Sequence, residues 1–79
     1  MTNEQKELVR ASAETMAKTM TIDTLLDKLV KLARMLDRYN DLGEHEGRLM
    51  GFDYSEEIER CEIAIDAVKA EIKSRVKEN

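Results

Sequence analysis

Apolar side chains recur at alternating steps of three and four residues along two stretches of this chain. The members, in chain order, are Ile22, Leu25, Leu29, Leu32, Leu36 and Tyr39 in the first stretch, and Tyr54, Ile58, Cys61, Ile65, Val68 and Ile72 in the second. This spacing places each stretch on one face of an α-helix. Because the chain contains no proline, no residue forces a break in either helix. The pattern therefore predicts two helices, over residues 22–42 and 54–77, paired as a long antiparallel helical hairpin.

A thinner helical pattern precedes the hairpin. Thr2 and Gln5 have the spacing of a capping box, which marks the start of a helix. The apolar or small residues that follow at helical spacing are Leu8, Val9, Ser12, Ala13, Met16 and Met20. Since small residues and methionines bury less apolar area than a leucine and isoleucine seam, we expect residues 1–20 to form a short, weakly anchored N-terminal helix.

Polar residues mark where the two later helices begin. Thr21 suits the N-cap of the first, and Met20 and Leu25 have the spacing of a hydrophobic staple around it. Asp53 and Glu56 have the spacing of a capping box at the start of the second. We therefore expect a break within residues 19–23. The alternative is a continuous helix, because two threonines lower helix propensity only modestly.

Three glycines separate the two apolar stretches. Gly43, Gly47 and Gly51 are four residues apart, and three glycines inside a helix in water cost about 3 kcal/mol of propensity. We therefore interpret residues 43–53 as the connection, with Gly43 left-handed at the end of the preceding helix. The alternative is a helix whose glycines share one face and allow a neighbouring backbone to approach closely.

Length and cysteine content limit how such a chain is stabilised. The 79 residues contain one cysteine, Cys61, and one histidine, His45. A disulfide within the chain is therefore excluded, and a structural zinc site nearly so. The core of so small a domain rarely supplies more than about 3–5 kcal/mol. We therefore expect a single all-α domain over residues 1–79 that self-associates into a helical bundle.

The same features argue against several classes of function. With one histidine and no nucleophile motif, we expect no enzymatic activity, no cofactor and no metal. A net charge of −4 with both signs interleaved disfavours nucleic-acid binding. No apolar run has membrane-spanning length, and the N-terminus lacks the layout of a secretory signal. Because one unpaired cysteine suits a reducing compartment, we expect a cytoplasmic protein with no membrane contact.

Two sets of side chains are candidates for contacts with other molecules. The first set, basic and aromatic, could surround a phosphate and stack on a base; its members are Lys31, Arg34, Arg38, Tyr39, Arg48, Phe52 and Tyr54. Its alternative is a solvated basic stripe beside aromatic rings that close the bundle end. The second set comprises the candidate oligomer contacts Val30, Met35, Ile63, Met16 and Met20. Those that lie off the seams imply a second layer, formed by the first helix folding back or by another subunit.

These patterns lead to a functional hypothesis by exclusion. We expect a small non-enzymatic helical protein that engages in protein–protein interaction, as a regulator or inhibitor of another macromolecule. One alternative is an oligomer that sequesters a small anionic ligand, such as a nucleotide, through the basic and aromatic set. A second alternative is a DNA-associated regulator, which the net charge disfavours.

Overall fold

The fold is known from a computed structural model that describes residues 2–50 and 53–78, and the side chains of residues 2–43 and 53–77. Within these residues the chain forms three α-helices: α1 over Asn3–Thr19, α2 over Ile22–Met50 and α3 over Ser55–Glu78. The described residues include no strand. The all-α class expected from the sequence is therefore confirmed.

The capping residues identified in the sequence hold the starts of α1 and α2. Thr2 Oγ1 accepts a hydrogen bond from the Gln5 N–H at 3.2 Å, and Gln5 Oε1 accepts one from the Thr2 N–H at 2.9 Å. Thr21 Oγ1 accepts from the Thr24 N–H at 3.2 Å. The break predicted within residues 19–23 is confirmed, because α1 ends at Thr19 and the Thr21 hydroxyl satisfies an otherwise free amide of the next helix.

The helix α2 extends well beyond the position at which we expected it to end. It remains helical through Met50, so the predicted connection over residues 43–53 is wrong across residues 43–50. Gly43 has no left-handed φ, and a Cβ built on it meets no atom within 4 Å. Neither a helix stop nor close approach of another backbone therefore explains this glycine. Gly51 lies outside the described residues.

Backbone hydrogen bonding accounts for the longer helix. A glycine costs about 1 kcal/mol relative to alanine in a helix interior, whereas each residue added to an existing helix gains one backbone hydrogen bond. Glutamate, arginine, leucine and methionine, all good helix formers, are among the residues between 43 and 50, and no proline interrupts them. The glycine penalty is therefore too small to stop the helix.

The start of α3 depends on Asp53. Its Oδ1 accepts a hydrogen bond from the Ser55 N–H at 3.0 Å. This bond, followed by one from the Ser55 side chain, lowers the pKa of the Asp53 carboxyl, although slight desolvation opposes the shift. The stabilising contribution is therefore present above the ordinary carboxyl pKa of about 3.9, and it is lost as the pH falls through the lower folded value. Glu56 pairs with Arg60 at 3.4 Å.

Burial of the two apolar stretches confirms that they form the core seam. The buried members are Leu25, Leu32, Cys61, Ile65 and Val68. The members that pack partly buried against the core cluster are Leu29, Leu36 and Ile72. Where the first stretch ends and the second begins, the rings of Tyr39 and Tyr54 have centroids 6.0 Å apart. Ile22 departs from the prediction, because it remains 39% exposed.

The helix α1 runs alongside α3 in the same direction. Lys6 Nζ lies 3.7 Å from Glu59 Oε1 near the start of both helices. Near the end of both, Arg75 donates to the carbonyl oxygens of Ala17 and Lys18. In the described part of the chain α1 and α2 both pack on α3 and make little contact with each other. The helix α3 is therefore the central one.

Packing of α1 covers apolar surface that the seam leaves open. Ile63, only 8% exposed, and Ala67 are buried, and they line a concavity with Arg10 and Glu14 of α1. Ala17 is 1% exposed and belongs to the core cluster. The packing of α1 on α3 therefore covers these side chains. Ile63, a candidate oligomer contact in the sequence analysis, is covered within the chain, because the first helix folds back over it.

The arrangement is flat and leaves apolar side chains in water. Its Cα atoms extend over 49 × 26 × 16 Å, as expected for helices laid side by side. A single layer of helices has two open faces, so it cannot enclose every apolar residue. Among the described side chains, the large apolar ones that remain exposed are Leu8, Met16, Ile22, Leu26, Val30, Met35 and Val76.

Candidate interaction surfaces

An apolar groove runs between α1 and α3. Its lining consists of Leu8, Val9, Ser12, Ala13 and Met16 from α1, and of Arg60 and Ala64 from α3. The groove has a volume of about 460 Å³ and is open to solvent. Ser12, Ala13 and Ala64 are the small side chains of this lining. Leu8, at 70% exposure, is the most exposed of the large apolar side chains in the described residues.

The groove has few polar side chains. Its surface is almost entirely apolar, and Ser12 is its only hydroxyl-bearing side chain. Arg60 stands at its edge, where its guanidinium also pairs with Glu56 at 3.4 Å. An apolar floor with one cation at the rim can receive apolar side chains and orient an acidic neighbour.

The basic and aromatic set does not converge on one place in the described part of the chain. Tyr39 and Tyr54 do meet. Lys31 pairs with Asp27 at 3.0 Å. By helical spacing, Lys31, Arg34 and Arg38 all point away from the face of α2 that packs on α3, whereas Tyr39 points toward it. The side chain of Arg48 and the whole of Phe52 lie outside the described residues.

The candidate oligomer contacts have separated into two groups. Val30 and Met35 remain exposed on α2, and Met16 remains exposed in the groove. Met20 packs partly buried against the core cluster that contains Leu25, in agreement with the hydrophobic staple. Together with the buried Ile63, it is therefore committed inside the chain.

Of a second apolar surface on α2, the sequence analysis identified only Val30, as a candidate oligomer contact. Ile22, Leu26, Val30 and Ala33 follow one another at steps of four, four and three residues, and all are exposed. We call these four residues the α2 stripe. The step pattern was visible in the sequence, but Ile22 was assigned to the core seam. The stripe lies on the face of α2 next to the seam, so α3 covers one apolar face and leaves the other open.

Arg75 is a structural residue that the sequence analysis did not single out. Its Nε donates to Glu71 Oε1 at 2.9 Å, and its terminal nitrogen donates to the carbonyls of Ala17 and Lys18, each at 3.2 Å. These carbonyls lie in the last turn of α1, where a helix has unsatisfied acceptors and partial negative charge. No local pattern predicts this contact, because Lys18 and Ala17 are 57 and 58 residues away from Arg75 in sequence.

The thiol of the one cysteine has low reactivity. Burial raises the pKa of the Cys61 thiol, and the negative charge of Glu62 raises it further, so the neutral, unreactive thiol predominates at neutral pH. Among the described residues no three His, Cys, Asp or Glu side chains lie together in a way that would hold a metal ion. The side chain of His45 lies outside them.

Two further observations concern membrane-spanning segments and similarity to known proteins. Across its described residues, none of the helices includes a segment with the length and hydropathy needed to cross a membrane. Comparison of the chain with protein-family models, with curated proteins and with solved structures found no match in any of the three.

Proposed function

We propose that this protein is a small non-enzymatic helical module that binds another protein and modulates it, as a regulator or inhibitor does. The observation that supports the proposal most strongly is the apolar groove between α1 and α3. Burying one large apolar side chain contributes about 1.5–3 kcal/mol, so Leu8 and Met16 lose that stabilisation while the groove is empty. Apolar side chains grouped on a surface in this way are typical of protein contact sites.

An amphipathic helix of the partner is the occupant that fits this groove. The groove runs along two parallel helices, and Leu8, Ser12 and Met16 follow each other one turn apart along its wall. Helices bind such grooves through side chains at matching i, i+4 and i+7 positions. Arg60 at the rim favours an acidic residue on the partner helix at the same level.

The proposal includes a finer architecture. In it α2 and α3 form an antiparallel helical hairpin, α1 flanks the α3 side, and the unit self-associates. The Tyr39–Tyr54 contact and the shared core of α2 and α3 support the hairpin. The α2 stripe supports self-association, since it gives each copy an apolar face that α3 does not cover.

Binding through the groove is tested by co-purification from a cell lysate, with the full chain and two matched variants as baits. Leu8→Glu places a charge in the groove, and Val76→Glu places one on a side chain of similar exposure, 67%, on α3 outside the groove. Because both side chains are largely in water, both variants should fold. We expect a partner that is retained by the parent and by Val76→Glu and lost by Leu8→Glu.

Two outcomes would contradict binding through the groove. One is a partner that all three baits retain equally. The other is the absence of any protein whose retention depends on Leu8. Circular dichroism of each bait provides the control for folding, because loss of the helical signal would itself remove binding.

Thermal unfolding in the presence of nucleotides distinguishes protein binding from the alternative, sequestration of a small anionic ligand. A ligand at 100 times its Kd adds about 2.7 kcal/mol to the stability of the native state and so raises Tm. We expect no saturable rise, because Arg34 and Arg38 point away from the tyrosine pair. A saturable rise that Arg38→Gln abolishes would favour sequestration of an anion instead.

A further inference from the structure

We propose that two copies of this chain pair antiparallel along α2, with the α2 stripe of each copy against that of the other and Asp23 of each copy beside Arg34 of the other. This pairing gives the self-association in the proposed function a definite surface and orientation. It uses a face of α2 that is distinct from the groove between α1 and α3.

The first argument is that α2 has two adjacent apolar faces and only one cover. The seam side chains Leu25 and Leu32 are buried against α3. The neighbouring stripe begins with Ile22 at 39% exposure and continues through Leu26 at 48% and Val30 at 50%. Side chains of this size, aligned over three turns, resemble one half of a helix–helix contact.

The second argument is that the α2 stripe is complementary to itself. A two-fold axis that passes between the two copies at the level of Lys28 places Leu26 against Val30 of the other copy. The same axis places Ile22, the largest member at one end, against Ala33, the smallest at the other. Large side chains therefore meet small ones at both ends, as interdigitated packing requires. The occupant of this face is accordingly a second copy of the chain.

The third argument is the distribution of charge beside the stripe. Along one edge the first half of α2 carries Asp23 and Asp27, and the second half carries Arg34 and, beyond the last residue of the stripe, Asp37. Asp23 and Arg34 are both exposed, and neither has an ion-pair partner within the described residues. The axis near Lys28 that matches the apolar residues also brings Asp23 opposite Arg34 of the other copy, twice in each pair.

Orientation follows from which edges meet. In an antiparallel helix pair, the edge that carries Asp23 and Arg34 lies beside the same edge of the other copy. Asp23 of one copy therefore meets Arg34 of the other. In a parallel pair this edge faces the opposite edge of the other helix, where α3 lies, and the two residues do not meet. The charge pattern therefore favours the antiparallel pair.

The size of the contact sets the expected strength. One stripe of four residues on each copy lies at the small end of specific interfaces, below about 1,200 Å² in total. We therefore expect a reversible, concentration-dependent dimer rather than a permanent one. The rim charges add orientation, and their contribution decreases as salt screens them.

The test is sedimentation equilibrium of the full chain at low ionic strength over a wide range of concentrations, with three variants. Arg34→Glu puts two acidic side chains opposite each other at both ends of the contact. The double variant Asp23→Lys/Arg34→Glu restores opposite charges with their places exchanged. Arg38→Glu, one turn farther along α2 and also exposed, is the matched control.

We expect a dimer for the parent chain and a dimer dissociation constant about tenfold higher for Arg34→Glu, since like charges across an interface disfavour association. The double variant should recover most of that loss, and Arg38→Glu should change the constant less than about twofold. Thermal unfolding followed by circular dichroism verifies that every variant folds.

Three results would overturn the pairing. A parent chain that stays monomeric at every concentration overturns self-association, while the groove remains open to its own test through Leu8→Glu. A dimer that Arg34→Glu does not weaken, or that Arg34→Glu and Arg38→Glu weaken equally, overturns this arrangement but not self-association. Failure of the double variant to recover, when it is folded, overturns the contact between Asp23 and Arg34.

Discussion

At the scale of single residues, Arg75 makes the contact that a sequence pattern is least able to foresee. It joins the ends of α1 and α3 by donating to two carbonyls and one carboxylate. The planar guanidinium can satisfy several acceptors at fixed angles, whereas an ammonium group acts as a point charge. The position is only partly exposed, so these bonds are less weakened by solvent than surface pairs are.

We expect Arg75→Lys to lower the free energy of unfolding by about 1–3 kcal/mol, because it retains the charge but loses the forked donation to α1. Chemical denaturation measures the change. Arg60→Lys is the matched control: Arg60 also pairs with a glutamate one turn away, but both side chains are more than half exposed, so it should cost less than about 0.5 kcal/mol. Equal losses in the two variants would show that Arg75 does not fix α1.

Gly43 shows how a local rule was applied in the wrong context. A glycine after a periodic apolar stretch commonly ends a helix, yet here α2 continues for seven residues beyond it. The local sequence offers two states of similar free energy, and a single-residue preference of about 1 kcal/mol is too small to decide between them.

We expect Gly43→Ala to stabilise the protein by about 1 kcal/mol, because the new methyl group meets open space and alanine favours the helix. The reverse substitution Ala11→Gly, at an exposed position inside α1, should cost a similar amount. Denaturant titration of both variants measures the pair. Destabilisation by Gly43→Ala would indicate a left-handed residue and a helix that ends near residue 42.

At the scale of helices, local sequence was sufficient for the starts and insufficient for the partners. The capping box at Thr2 and the cap at Thr21 are made of neighbouring residues, so their spacing predicts their hydrogen bonds. The covering of Ile63 by α1 depends on residues some fifty positions away in sequence. Sequence periodicity indicated that Ile63 needs a cover but could not choose between α1 and a second subunit.

Unequal burial among the helices predicts an order of opening. Apart from Ala17 and Met20, the core cluster comes from α2 and α3. Amides of α1 should therefore exchange with solvent at a lower free energy of opening than amides near Leu32 and Val68. Native-state hydrogen exchange measures both. Equal protection in all three helices would mean that α1 unfolds only with the whole molecule.

At the scale of the whole molecule, the seam between α2 and α3 could be predicted from the sequence. The arrangement of the three helices in a single layer could not. Two stretches of apolar residues at three and four spacing predicted which sides of α2 and α3 meet. The groove at Leu8 and the stripe at Leu26 are surfaces left over after packing, so they become visible only when all three helices are in place. The basic and aromatic candidates failed to converge for a related reason: Arg34 and Tyr39 are close in sequence but point to different sides of α2.

The central claim is that α3 is packed on two sides, by α2 through Ile65 and by α1 through Ile63. Urea unfolding of Ile63→Ala, Ile65→Ala and the exposed control Val76→Ala, at a concentration where the chain is monomeric, tests it directly. We predict a loss of about 2–4 kcal/mol for each of the two isoleucine variants and less than about 0.5 kcal/mol for Val76→Ala. A large loss for Ile65→Ala with less than about 1 kcal/mol for Ile63→Ala would contradict the claim, because it would leave that side of α3 uncovered.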